Sequence, residues 1–265
     1  MSMKILSLIL ITFYSLVTHI SYAHAGLDVI YRHGDIALEG YIAKPDANKY
    51  SGVRPTILIA HQWKGLGGYE KKRADMLADL GYIAFAIDVY GQNTRPDTQG
   101  KAKAESSKYK DNPELARGRM MTALNFIKTV DDVDINNIAA IGYCFGGTMV
   151  LEMARAGADI DAVVSFHGGL ATQSSAQADD NILTSIQIHH GAADPYVSDI
   201  EVSAFKQEMV TAKTDWHFIS YANAVHAFTE KEAGNDPSKG AAYNQKADER
   251  SWSYTLDFLK MTFAQ

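Results

Sequence analysis

A single cysteine, Cys144, is all the thiol chemistry in 265 residues. No internal disulfide framework is therefore possible. Basic charge is also short, with 25 Lys and Arg against 31 Asp and Glu for a net charge of -6, so no positive field exists to condense on nucleic acid or anionic lipid. Six prolines in a chain that is 46% apolar and 21% charged leave no basis for disorder or a coiled coil. There is no internal repeat, no low-complexity tract and no convincing domain boundary. Beyond residue 25 no apolar run is long enough to span a bilayer. What remains is one globular domain of a size that can bury a large core.

The first 25 residues are set apart by pattern. Lys4 supplies a positive start, Ile5 to Ile11 and Phe13 to Val17 an apolar stretch, and Ala23-His24-Ala25 a small-x-small cleavage site. His19, Ser21 and His24 interrupt the apolar run before it reaches the roughly 20 residues of a membrane helix. Residues 1–25 are expected to be a signal peptide and 26–265 the mature domain, periplasmic or secreted, without membrane insertion after cleavage. Losing only Lys4 from its charged residues takes the net charge from -6 to -7. An exported chain then carries one free thiol in an oxidising compartment.

The mature sequence alternates strands and helices. Val29 to Arg32 and Ala37 to Ala43 flank His33-Gly34-Asp35 and predict an antiparallel hairpin. Short apolar runs at Ile57 to Ala60, Ile83 to Ile87, Ile138 to Ile141, Ala162 to Phe166, Ile186 to His189 and Phe218 to Tyr221 predict strands buried on both faces. Amphipathic helices are predicted over Glu70 to Leu80, Glu114 to Val130, after Ser198, and along Trp252, Leu256, Leu259 and Phe263. Ser198 with Glu201 suggests a capping box. Gln92 to Asn112 lacks an apolar face and is expected to be a surface excursion with an irregular helix, and Lys231 to Tyr243 a polar loop. The fold class expected is α/β, a mostly parallel sheet with helices on both faces and an N-terminal antiparallel hairpin.

Gly142-Tyr143-Cys144-Phe145-Gly146-Gly147 follows a predicted buried strand and precedes a helix, which is the setting of a nucleophile elbow with cysteine in the serine position. Glycines two residues either side allow close backbone approach, and a helix N-terminus favours the thiolate. An elbow requires an acid and then a histidine later in the chain. Asp194 follows the strand from Ile186, and His226 follows the strand from Phe218. Each could be an ordinary surface residue, but three matches in the required order predict a Cys144-Asp194-His226 triad.

These motifs, with His190-Gly191-Ala192-Ala193-Asp194-Pro195, His226-Ala227-Phe228, and the stretch Gly81-Tyr82 to Asp88-Val89-Tyr90-Gly91, make the chain resemble the dienelactone hydrolase family of α/β-hydrolases. The resemblance implies ester or lactone cleavage through a thioester, with no metal and no organic cofactor. It implies an oxyanion hole from the Trp63 and Phe145 backbone N–H groups. It also exposes departures. The position at which family members acting on dienelactone carry a glutamate that activates the thiol is Gln62, and their two carboxylate-binding arginines correspond to Gln92 and Glu230. Arg95 is close enough in sequence to replace one of them. His167, in His167-Gly168-Gly169, is a candidate substrate contact or wall residue. Glu230 either faces substrate, where it repels an anion, or points to solvent beside Lys231.

The expected activity is that of an exported cysteine hydrolase acting on a small-molecule ester, lactone or thioester, as a monomer or small homo-oligomer. Strict carboxymethylenebutenolidase activity is not expected. The alternative is a catalytically impaired binding protein on the same fold. A redox role for Cys144 lacks any resolving cysteine.

Overall fold

A computed structural model describes residues 26–177, 180 and 182–264. The expected signal segment lies outside the described residues. β1 (Leu27–His33) and β2 (Ile36–Ala43) form the antiparallel hairpin, closed by the His33 and Ile36 pair. β2 then runs antiparallel to β4 (Ile83–Ile87). From there the pairing is parallel across β3 (Arg54–Ala60), β5 (Val133–Tyr143), β6 (Ala162–Phe166), β7 (Ser185–Gly191) and β8 (Trp216–Tyr221). The eight strands lie in the order β1-β2-β4-β3-β5-β6-β7-β8.

Strand alternation explains why the apolar runs are continuous. Leu58 and Ala60 of β3 face one core with Phe85 and Ala140, while Ile57 and Ile59 face a second core with Ala84 and Ile141. The first core is covered by α3 (Pro113–Ile127), α4 (Phe145–Arg155) and α5 (Asp199–Thr211), the second by α1 (Gly68–Asp79) and α6 (Gln245–Thr262). A strand buried on both faces needs apolar side chains at every position, each worth about 1.5–3 kcal/mol on burial. The chain order reverses at β3, which pairs with β4 on one side and β5 on the other, so the carboxyl ends of β3 and β5 open beside each other at a switch point.

Three sequence expectations need correction. β8 is not buried on both faces: as the edge strand it leaves His217 and Ser220 exposed and Phe218 and Ile219 half-buried. Gln92 to Asn112 contains a regular helix, α2 (Gln99–Lys110), whose N-cap Thr98 accepts from the Lys101 N–H. Its buried face is Ala102, Ser106 and Tyr109, too small and polar to register as an apolar stripe. At α5 only half of the capping box forms. The Ser198 hydroxyl accepts from the Glu201 N–H, but the Glu201 carboxylate accepts from the Leu170 and Ala171 amides, tying down the loop after β6.

Candidate active site

β5 delivers Cys144 to the switch point. The residue has φ 54° and ψ -115°, a conformation that side-chain-bearing residues rarely adopt, and α4 starts at the next position. The neighbouring glycines are required by contact. A Cβ on Gly142 would lie 2.1 Å from the Gly146 carbonyl oxygen, and one on Gly146 would lie 2.1 Å from that of Ala60 at the end of β3.

β7 and β8 bring the other two groups. Asp194 sits in the turn after β7 with its carboxylate out of solvent; Oδ1 accepts from the Tyr196 N–H at 2.9 Å, and Oδ2 lies 2.8 Å from His226 Nδ1. His226 Nε2 is 3.1 Å from Cys144 Sγ. The His226 loop is pinned from outside by the polar segment before α6, as the His226 N–H donates to the Gly240 carbonyl and the Ala242 N–H to that of His226. The Tyr196 ring stands edge-on to His226 at 5.3 Å.

The charges reinforce one another. Burial alone would push the Cys144 thiol up, but the His226 charge and hydrogen bond, the Lys110 ammonium and the Phe145 N–H together hold it below its ordinary value. Burial alone would lower His226, yet the Cys144 thiolate and the Asp194 carboxylate hold its imidazolium well above the usual histidine range. Each charge thus stabilises the other, favouring the thiolate–imidazolium pair over the neutral one.

His167 is buried beneath the elbow and does not face a ligand space. Its Nδ1 accepts the Cys144 N–H at 3.2 Å, and its Nε2 lies 2.9 Å from Thr229 Oγ1. Thr229 Oγ1 in turn accepts from the Tyr69 hydroxyl at 2.9 Å, and Tyr69 accepts from Arg73, which pairs with Asp248 at 2.7 Å. Burial, together with the His226 charge at a ring distance of 5.2 Å, holds His167 well below its ordinary value and therefore neutral. Sequence reasoning missed Tyr69 and Thr229; the only local signal was that Thr229 follows His226 by three positions.

The loop after β3 is fixed from below. Buried Glu70 accepts the Gln62 and Gly67 N–H groups at 3.1 and 3.0 Å, and the Tyr90 hydroxyl donates to the Trp63 carbonyl at 2.9 Å. His61 is spent structurally, between the Gln62 carbonyl and the Val89 N–H. Gln62 meets Glu230: Nε2 donates to Oε2 at 2.8 Å. The solvent-facing alternative for Glu230 is therefore not the one adopted. Arg95 is engaged elsewhere, and Gln92 is tied to the hairpin through its backbone while its side chain is exposed. The Gln92 N–H donates to the Ala37 carbonyl of the hairpin, and the Arg95 guanidinium donates to the Gly91 and Thr94 carbonyls and lies 3.5 Å from Asp88. Among the described residues no cluster of three or more His, Cys, Asp or Glu side chains could hold a metal ion.

Comparison with known proteins agrees with this architecture. The model of the dienelactone hydrolase family matches residues 38–263. An uncharacterized Caenorhabditis elegans protein is 43% identical over 150 residues, 55% of this chain and 93% of its own. An Aquifex aeolicus protein named for carboxymethylenebutenolidase activity is 26% identical over 257 residues, covering 89% of this chain and 98% of its own. The crystal structure of a dienelactone hydrolase-like promiscuous phosphotriesterase from metagenomic libraries superposes with a TM-score of 0.82 at 34% identity, over 89% of this chain and 98% of that one.

Proposed function

We propose that this chain, which belongs to the dienelactone hydrolase family, works as an exported cysteine hydrolase through a thioester acyl-enzyme. By family it is a hydrolase of esters or lactones. The observation that carries the cysteine mechanism is the continuous line from Asp194 Oδ2 through His226 to Cys144 Sγ, with spacings of 2.8 and 3.1 Å, on a strained elbow.

The Cys144 thiolate attacks the carbonyl carbon, and the carbonyl π pair moves to oxygen. That oxyanion is directed to the Phe145 N–H, at the first position of α4, and the Trp63 N–H, on the loop braced by Glu70 and Tyr90. Two such donors are worth about 3 kcal/mol each to the transition state. On collapse the His226 imidazolium gives its proton to the departing alkoxide, leaving a thioester and neutral His226. Water then enters, His226 takes one of its protons, and hydroxide adds to the thioester carbon. Loss of the Cys144 thiolate releases the acid and restores the ion pair. Asp194 holds His226 in the tautomer and orientation needed for both transfers.

The substrate class follows from Glu230 and Gln92. Where the family resemblance implied two carboxylate-binding arginines, this chain has a carboxylate and an amide, and Arg95 is turned onto Asp88. A neutral ester or lactone fits this site better than an anionic one. A fluorogenic ester panel, with Cys144→Ala as control, tests the reading: neutral esters should be hydrolysed and the variant should lose turnover. Turnover unaffected by Cys144→Ala would remove the mechanism. Export rests on the 1–25 pattern; mass spectrometry of the recovered protein should find Gly26 as its first residue, and full-length protein confined to the cytoplasm would refute it.

A further inference from the structure

On the side of the 90–95 loop facing the hairpin lies a crevice of about 360 Å³, bordered by Asp35, Ala37, Gln92, Asn93, Thr94 and Arg119. Arg119, on α3, is 6% exposed, and it differs from the other buried arginines in its partners. Arg73 pairs with Asp248 at 2.7 Å, and Arg155 with Glu208 at 2.8 Å and Glu152 at 3.0 Å. Arg119 makes no ion pair among the described residues. Its Nη1 donates to His33 Nδ1 at 2.7 Å, its guanidinium contacts the Tyr109 hydroxyl, and its Nε is buried with no partner. His33 can accept there only as a neutral imidazole. A guanidinium in this setting has lost most of its water without gaining a counter-charge, a costly state that a bound anion would relieve.

We propose that this crevice is a second ligand site that takes a small oxyanion, a carboxylate or phosphate group, anchored by the Arg119 guanidinium. With Nη1 on His33 and Nε sealed from solvent, the guanidinium is left to meet one oxygen of such a group by a single charge-assisted hydrogen bond. Gln92 and Asn93, exposed at the rim, supply amide donors of suitable chemistry. Asp35 is the opposing feature, an exposed carboxylate on the hairpin turn that weakens any anion it faces. Neither Cys144 nor His226 borders the crevice, although Tyr90, which does, donates to the Trp63 carbonyl of the oxyanion loop. The loop that walls it packs its other side on the oxyanion loop, where a Cβ on Gly65 would lie 2.9 Å from the Thr94 carbonyl oxygen.

The test is a titration of residues 26–265 with acetate and, separately, inorganic phosphate, read by amide NMR shifts. Saturable shifts at residues 35–37 and 92–94 are expected with at least one probe, and the ratio of the two affinities tells which oxyanion geometry the site prefers. Alkylating Cys144 with iodoacetamide beforehand should leave those shifts in place, which separates this site from the catalytic one. Arg119→Met should weaken binding by about tenfold or more, the loss of one charge-assisted contact. Asp35→Asn, at an exposed turn where folding is not at issue, should tighten it by about twofold to threefold through removal of one repelling charge. Absence of saturable shifts with both probes, their loss on alkylation, or an affinity unmoved by Asp35→Asn would overturn the proposal.

Discussion

Restoring the family glutamate at position 62 should harm this protein, because of what Gln62 touches. Its Nε2 donates to Glu230 Oε2 at 2.8 Å, and its own N–H rests on buried Glu70, whose carboxyl is already raised by burial, with Glu230 adding to the effect. Gln62→Glu turns the donor into an acceptor facing another acceptor. The lost charge-assisted hydrogen bond is worth ~1.5–3 kcal/mol. Two full charges about 4 Å apart repel by ~4 kcal/mol at an effective dielectric constant near 20. Both side chains are only half-buried, so solvent screening reduces the combined cost to ~1–3 kcal/mol. One of the two carboxyls should then hold a proton in the folded state above its unfolded value near ~4.3. The native state binds more protons than the unfolded state in that window, so the variant loses stability as pH rises through it. Urea unfolding should therefore show Gln62→Glu close to the parent at pH 5 and weaker at pH 8. Adding Glu230→Arg replaces repulsion by an ion pair and should recover the loss, with a double-mutant coupling of ~1–3 kcal/mol. A single variant as stable as the parent at pH 8, with coupling under ~0.5 kcal/mol, would mean that the Gln62–Glu230 contact does not exist in solution.

Three further outcomes are expected. Iodoacetamide should modify Cys144 faster than a free thiol near pH 6, with a shallower rise toward pH 8 than the roughly tenfold per pH unit of a free thiol below its pKa of ~8.5. The reason is that the lowered thiol and raised imidazole favour the charged pair over the neutral one; a rate no faster than a free thiol's and climbing as steeply would refute the pairing. Thr229→Val should lower kcat with little change in KM, since it removes the hydroxyl that orients His167 beneath the Cys144 N–H, and an unchanged kcat would make that network irrelevant to the elbow. Gly146→Ala, whose Cβ has no room beside the Ala60 carbonyl oxygen, should lower the thermal midpoint markedly and cost more than the ~1–3 kcal/mol typical of overpacking; a midpoint within a degree of the parent would show that β3 can yield.

The fold was legible because strands buried on both faces must be apolar throughout, and β3, β4, β5 and β6 write that requirement as short runs between helix patterns. The order of Cys144, Asp194 and His226 was legible because the elbow dictates it, and the three side chains do converge. α2 was not, since its buried stripe is Ala102, Ser106 and Tyr109. His167 invited comparison with an oxyanion motif because histidine and glycines stand together in sequence, whereas its role depends on Thr229, 62 positions away.

The least legible feature joins two separate departures from the family pattern. Gln62 alone reads as the loss of a base, and Glu230 alone as the loss of an anion clamp. They lie 168 positions apart and share one hydrogen bond. An amide donor facing a carboxylate is a satisfied pair, just as a glutamate facing an arginine would be; a mixture of the two sets is not, because glutamate facing glutamate repels and glutamine facing arginine leaves a cation without its counter-charge. The two changes are therefore mutually dependent, and a site that had merely decayed would have no reason to keep them matched. Under the mechanism proposed above, this matched pair disfavours an anionic substrate, and activation of Cys144 falls to His226 and the elbow instead of a residue at position 62.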